Sequence, residues 1–108
     1  MLTDVDDIIE QCLEDSESWF PDLAHNTTFM ALAAAGEVGE MCNLVKKVER
    51  GTHSPDEVAD QIASEAVDAI IYLFNILAIQ KRDFASLYDK IRENNAQRFG
   101  VPAATTGS

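Results

Sequence analysis

Two segments of this chain of 108 residues each carry a pair of carboxylates at the same i, i+3 spacing. The pairs are Glu37 with Glu40, and Glu65 with Asp68. Two side chains three positions apart lie on one face of a helix. Most neighbours in both segments are small or apolar, so we expect the four acids to lie close to a packed interior. An ionised carboxylate removed from water is unfavourable unless a cation compensates it, and the pattern therefore predicts a divalent metal site.

The ligand types favour a hard cation. Four carboxylates with water suit Mg²⁺, with Mn²⁺ as a possible substitute, because both ions prefer oxygen ligands. Zinc would require Cys or His in the cluster, and a di-iron centre would need two Glu-x-x-His motifs, whereas the chain has one acid-x-x-His, from Asp22 to His25. Gly36 and Gly39 each cost roughly 1 kcal/mol inside a helix. They predict close approach of another helix or a ligand beside Glu37.

Three further side chains share the faces that carry the acids, and each has two interpretations. Lys47 could contact a phosphate oxygen, or it could complement the C-terminal end of its helix. Tyr72 could stack on a base or pack as a core aromatic. Asn75 could orient a ligand or bond across the bundle. The sequence leaves these alternatives open.

The elements that must position these residues are helices. Ser54, Pro55 and Glu57 form a strong helix start with a capping box, Asn26 or Thr27 can cap the preceding helix, and Asp83 can cap the last one. We predict helices over about residues 4–14, 27–49, 55 to about 81 or 82, and 84 to about 98, with a turn or short helix within 16–26.

We expect an all-α antiparallel bundle of three to four helices, forming one domain over residues 1–100 with a flexible tail over 101–108. Residues 70–79 are apolar around most of the helix circumference, and a helix that is hydrophobic all round is buried on all sides. So few helices cannot cover that surface. We therefore expect oligomerisation with further copies of the chain, as a homodimer or homotetramer, to complete the bundle.

The charge of the chain limits its partners. The formal net charge is −11, and eight of the 19 acids lie in the first 22 residues, where there is no Lys or Arg. A surface this acidic repels a polyphosphate backbone, so we expect no nucleic acid polymer as partner. An anionic substrate would have to bind through metal ions and a few local bases.

Two further expectations concern the cellular environment. Cys12 and Cys42 are too few for a disulfide framework, and we expect both to be reduced core thiols. The N-terminus is charged rather than an apolar signal segment. Polar residues interrupt the longest apolar stretch, residues 62–79, which we take to exclude a membrane span. We therefore expect a cytoplasmic protein without a membrane partner.

The acid pairs and their 24-residue separation resemble the motif of the MazG-like all-α nucleoside triphosphate pyrophosphohydrolases, a superfamily that includes dCTP pyrophosphatases and dimeric dUTPases. The resemblance covers roughly residues 19–99. It extends to a Trp and then His25 before the first pair, and to Tyr72 four residues after Asp68. Lys90, Asn94 and Arg98 resemble the family's Lys-x-x-x-Asn-x-x-Arg pattern, although Asn95 rather than Asn94 fits the spacing to Arg98.

The resemblance implies Mg²⁺-dependent hydrolysis of a (deoxy)nucleoside triphosphate between the α and β phosphates. It implies that the four acids hold the metal, with Glu40 as the candidate base that takes a proton from water. The dCTP pyrophosphatases have Trp where Lys47 stands, so the resemblance does not imply a cytosine preference. The other implied contacts are Lys47, Lys90 and Arg98 to phosphates, and His25, Tyr72 and Asn94 or Asn95 to the base or sugar.

Two other functions remain open at this point. The same bundle could be a non-catalytic helical module that binds a metal or a protein partner without turnover. It could also be a structural four-helix assembly protein, whose stability would be indifferent to EDTA and nucleotides.

Overall fold

The computed structural model describes residues 4–102, which fold into four α-helices with no strand among them. The order is α1 (Val5–Trp19), α2 (Thr27–Glu49), α3 (Pro55–Gln80) and α4 (Phe84–Phe99). This confirms the all-α class. Of the predicted tail, residues 101–108, positions 103–108 lie outside the described residues.

The predicted helix starts form through local hydrogen bonds. Asn26 is the N-cap of α2, and its Oδ1 accepts from the Phe29 N–H at 2.9 Å. At the start of α3, Ser54 Oγ accepts from the Glu57 N–H at 3.4 Å, and Glu57 Oε1 accepts from the Ser54 N–H at 3.2 Å. The hydrogen bond from the Ser54 backbone lowers the pKa of Glu57. Asp83 caps α4, so the capping residues named from sequence do start these helices.

Helix α1 is longer than predicted, because it continues to Trp19 instead of ending near residue 14. Ser16 lies one turn beyond Cys12 on the buried face, and its Oγ accepts from Asn75 Nδ2 of α3 at 3.0 Å. Packing against α3 thus extends a helix that local sequence signals would have ended earlier. The irregular segment is reduced to a turn over residues 21–25.

Helices α2 and α3 form an antiparallel hairpin, and α1 also packs against α3. Gln80 Nε2, at the end of α3, donates to Thr27 Oγ1, at the start of α2, at 3.2 Å. Helix α4 has no buried residue, and its first residue, Phe84, contacts Phe74 of α3 edge-on, with ring centroids 6.0 Å apart. The buried apolar side chains come from α1 to α3 and the turn: Ile9, Cys12, Ala24, Met30, Ala34, Val58 and Ala69.

Much of the apolar surface faces outward in the single chain. Leu32 of α2 is 69% exposed, and Val67, Ile70 and Leu73 of α3 are also exposed. A single chain therefore leaves part of the apolar surface of α3 uncovered. The reason is that α2 and α1 cover only the face of α3 that carries the acids and Asn75.

The structure also bears on the expectations for Cys42 and for the two glycines. Cys12 is buried, but Cys42 is exposed, since it lies on the outer face of α2. A side-chain Cβ placed at Gly36 or Gly39 would meet no atom of the described residues within 4 Å. No helix of the same protomer therefore requires glycine at these two positions.

Helix α3 is long and apolar enough to cross a membrane on the criteria of length and composition alone. Its polar residues therefore do not exclude a span, contrary to our expectation. One such helix is only a weak indication of a membrane protein, because core helices of globular proteins meet the same criteria.

Candidate metal centre

Three of the four predicted acids converge where α2 meets α3. Glu37, Glu65 and Asp68 each offer a carboxylate oxygen, and these three oxygens lie within 4.8 Å of one another. The short turn between α2 and α3 makes the helices antiparallel neighbours, which brings the two i, i+3 pairs to the same seam. We refer to Glu37, Glu65 and Asp68 as the acid cluster.

Glu40 lies beside the cluster rather than in it. Its carboxylate contributes to the raised pKa of Glu65, but none of its oxygens belongs to the group of three. Glu37 and Glu65 are half-buried, whereas Glu40 and Asp68 are exposed. The expectation that all four acids lie close to the interior is therefore wrong for Glu40 and Asp68. Residues three apart differ by about 60° around a helix, so one member of each pair turns outward.

The acid cluster has no cationic partner within the described residues. The one ion pair found in residues 4–102 joins His25 Nε2 to Glu17 Oε2 at 3.3 Å. The approach of the Glu37 carboxylate, then desolvation and the nearby Glu40, raise the pKa of Glu65 to about 7. Glu65 Oε2 is also buried without a hydrogen-bond partner. The cluster is thus a concentration of uncompensated negative charge, which a proton or a metal ion would relieve.

A cavity of about 310 Å³ adjoins the cluster, with Glu37 and Asp68 among its lining residues. Its aromatic lining comes from Trp19 and Phe20 at the end of α1, and from Tyr72 of α3. The contribution of α1 to this cavity was not predicted from the sequence, because the predicted helix ended near residue 14. The apolar stripe of α1 continues past Cys12 to positions 16 and 19. Extending the predicted helix along this stripe would have shown that α1 reaches the cavity.

Tyr72 and Asn75 occupy the cavity wall in different ways. Tyr72 is half-buried and contacts Phe29 edge-on, with centroids 6.3 Å apart and an interplanar angle of 85°. It therefore packs as an aromatic of the α2–α3 seam and also lines the cavity. Asn75 is fully buried and bonds across to Ser16, while its Oδ1 has no hydrogen-bond partner.

The structure places Lys47 and His25 apart from the cluster. Lys47 is half-buried and lies seven residues beyond Glu40, which corresponds to roughly 10 Å along the axis of α2. His25 is in the turn after α1, with an exposed side chain held near Glu17. Neither residue lines the cavity beside the cluster.

The predicted contacts on α4 do not reach the acids of their own chain. Lys90, Asn94 and Arg98 are exposed, as is the alternative Asn95, and none lines that cavity. Arg98 instead places its guanidinium 5.2 Å from the centroid of the Phe99 ring. A single protomer therefore does not bring these side chains together with Glu37 and Glu65.

Cys12 also lines the cavity. Burial, and then the negative charge of Asp15, raise the pKa of its thiol. The thiolate is the reactive form of cysteine. This environment therefore disfavours a nucleophilic or redox role for Cys12.

The donor set fits Mg²⁺ or Mn²⁺. Three carboxylate oxygens converge, one glutamate oxygen is buried and unpaired, and no nitrogen or sulfur ligand belongs to the group. Glu37, Glu65 and Asp68 would hold the ion.

In comparisons with known proteins, the chain matches no family model, no curated protein and no solved structure.

Proposed function

We propose that this protein is a Mg²⁺-dependent nucleoside triphosphate pyrophosphohydrolase, which cleaves between the α and β phosphates to give a monophosphate and pyrophosphate. The observation that carries the proposal is Glu65, whose buried Oε2 has no hydrogen-bond partner and lies among other carboxylates. Such an arrangement is unfavourable unless a cation binds it. The metal motif that the sequence predicts and the convergence of its residues support the same conclusion.

In this proposal, different residues of the chain bind the metal, accept a proton and contact the substrate. Glu37, Glu65 and Asp68 bind the cation, and bound Mg²⁺ would neutralise phosphate charge and lower the pKa of water. Glu40 is exposed beside Glu65, so its carboxylate can take the proton of an attacking water. Lys47 would contact the distal phosphates of the substrate, since it lies roughly 10 Å farther along α2 than Glu40. The aromatic cavity beside the cluster would hold the base.

The active unit in this proposal contains more than one copy of the chain. The accessible surface is 7993 Å², against roughly 5,900 Å² expected for a folded monomer of this mass. The radius of gyration is 16.8 Å, against about 13 Å for a compact domain of this length. The excess surface exceeds the roughly 800 Å² that each partner buries in a standard interface. A second copy could cover α4 and the outer face of α3.

The direct test is to measure pyrophosphate release from a panel of ribo- and deoxyribonucleoside triphosphates with Mg²⁺ or Mn²⁺. We expect metal-dependent release of equal amounts of monophosphate and pyrophosphate from at least one nucleotide. Glu40→Gln should reduce the rate by about 100-fold or more with unchanged helicity. The matched control is Glu49→Gln, at the far end of α2, which should retain activity.

The non-catalytic alternative predicts metal binding without turnover of any nucleotide in the panel. Orthophosphate in place of pyrophosphate would show cleavage at another bond. Either result would refute the proposed reaction. Unchanged activity of Glu40→Gln would refute only the role assigned to that residue.

A further inference from the structure

We propose that Asn75 reads the hydrogen-bonding edge of a planar nitrogen heterocycle in the cavity next to the acid cluster, by accepting a hydrogen bond from a ring N–H or exocyclic amino group. This inference rests on the proposed function for the identity of the heterocycle as a nucleobase. It assigns the specificity to one side chain. The sequence alone leaves the role of that side chain open between orienting a ligand and bonding across the bundle.

The first step is the unsatisfied polar group. Asn75 has 0% exposure, and its Nδ2 donates to Ser16 Oγ at 3.0 Å, but its Oδ1 is buried without a partner. Nearly all buried polar groups in folded proteins have a hydrogen-bond partner. A buried carboxamide with one end unpaired therefore indicates a partner that binds there. The residue also lines the cavity, from which such a partner can approach.

The second step is the chemistry of that partner. Oδ1 is an acceptor, and Asp15, which also lines the cavity, adds further acceptors. Ser16 Oγ accepts a hydrogen bond from Asn75 Nδ2, so Oδ1 is the end of the amide that is free to accept one from a ligand. The terminal torsion of asparagine has a broad minimum, so a modest rotation can turn Oδ1 towards the cavity. The complementary ligand must therefore present a hydrogen-bond donor, which the ring N–H or amino group of a nitrogen heterocycle supplies.

The lining and the size of the cavity suit a flat ring. Trp19 and Tyr72 line the same cavity as Asn75, and Trp19 is 67% exposed, which leaves its ring accessible for stacking. Base–aromatic stacking is favourable for every nucleobase because each has a π-face. The volume of about 310 Å³ is at the lower end of the usual range for small-molecule sites. Stacking would retain a flat ring, and Asn75 would then select among rings by their donors.

The test uses the full-length protein and the fluorescence of Trp19, the only tryptophan in the chain. Uridine and adenosine are titrated in EDTA, beside 3-methyluridine and N6,N6-dimethyladenosine, which lack the corresponding N–H donors. At least one parent nucleoside should give a saturable change, and its methylated analogue should bind about tenfold more weakly, as expected for one lost hydrogen bond. Equal binding of parent and analogue to the wild-type protein would overturn the proposal, as would no response to either parent.

A variant pair locates the effect. Asn75→Leu, which keeps the side-chain shape, should bind each parent and its analogue equally. Asn43→Leu, at an exposed position of α2, should keep the wild-type preference, and persistence of that preference in Asn75→Leu would also refute the assignment. If circular dichroism shows that Asn75→Leu does not fold, the comparison of parent and methylated nucleosides on the wild-type protein still tests the proposal. Since nucleosides carry no phosphate and no metal is added, the result is independent of whether the protein hydrolyses triphosphates.

Discussion

The α2–α3 seam and helix α4 differ in packing and in charge. The seam carries the acid cluster with no basic partner among the described residues. Helix α4 contains three of the eight basic residues of the chain, Lys90, Arg92 and Arg98, and has no buried residue. A single protomer therefore presents the anionic half of the proposed site without the cationic half. We propose that a metal ion and a second copy of the chain supply the missing positive charge.

The largest contrast should appear when an acid is neutralised in each region. Asp68→Asn removes a cluster oxygen, and we expect pyrophosphate release to fall at least about 100-fold, because changes even beyond the direct ligands of a metal can cost 10–100-fold. Asp89→Asn on α4 is the matched control and should change the rate by less than about twofold. Comparable losses in both variants would mean that the cluster is not the reactive centre.

A charge placed on the exposed apolar stripe of α4 tests whether that helix meets another chain. Ile91 is 55% exposed in the protomer, so Ile91→Asp should be tolerated by a monomer. In an oligomer it would remove an apolar contact worth about 2 kcal/mol and bury a charge. We expect light scattering after size exclusion to show a shift towards the mass of one chain. Glu93→Gln, on the opposite face of α4, should leave the mass unchanged, and an unaltered mass in Ile91→Asp would contradict the proposed role of α4.

The titration of Glu65 should distinguish the seam from the rest of the surface. Its pKa is about 7 in the folded protein, against an ordinary value of 4.5, so the folded state binds the proton more tightly than the unfolded state. Its contribution to stability is therefore fully present below about pH 4.5 and is lost as the pH rises through about 7. In EDTA, the Tm of Glu65→Gln minus that of the wild type should increase over this window. The same difference for Asp89→Asn should stay flat, and a flat difference for both would show that Glu65 is not perturbed.

The capping box of α3 gives the smallest expected effect. Ser54→Ala should lower the free energy of unfolding by about 1 kcal/mol, because the first turn of α3 loses the acceptor for one of its N–H groups. Thr28→Ala, at an exposed position of α2, should change it by less than about 0.5 kcal/mol. Chemical denaturation measures both values. Equal effects would imply that the start of α3 does not depend on the Ser54 side chain.

Local signals in the sequence predicted the helix starts well. Asn26, Ser54 and Asp83 cap the helices for which they were proposed, because a capping side chain and its backbone partner lie within three residues. The convergence of Glu37, Glu65 and Asp68 was also predictable. It required only helical periodicity and a short turn between two long helices.

Long-range packing was harder to predict. The extension of α1 to Trp19 depends on contact between Ser16 and Asn75, which are far apart in sequence, and the aromatic part of the cavity was missed with it. Cys42 was expected to be a core thiol, but it is exposed on the outer face of α2, as is Leu32. Composition shows that a helix has apolar surface. It does not show whether that surface meets the same chain or another one.

Binding of Mn²⁺, followed by electron paramagnetic resonance, is the most direct test of the central claim that Glu37, Glu65 and Asp68 hold a divalent cation. We expect saturable binding to the wild-type protein, loss of that binding in Glu65→Gln, and its retention in Asp89→Asn. Equal binding to all three proteins would mean that Mn²⁺ associates with the acidic surface in general, and would contradict the claim.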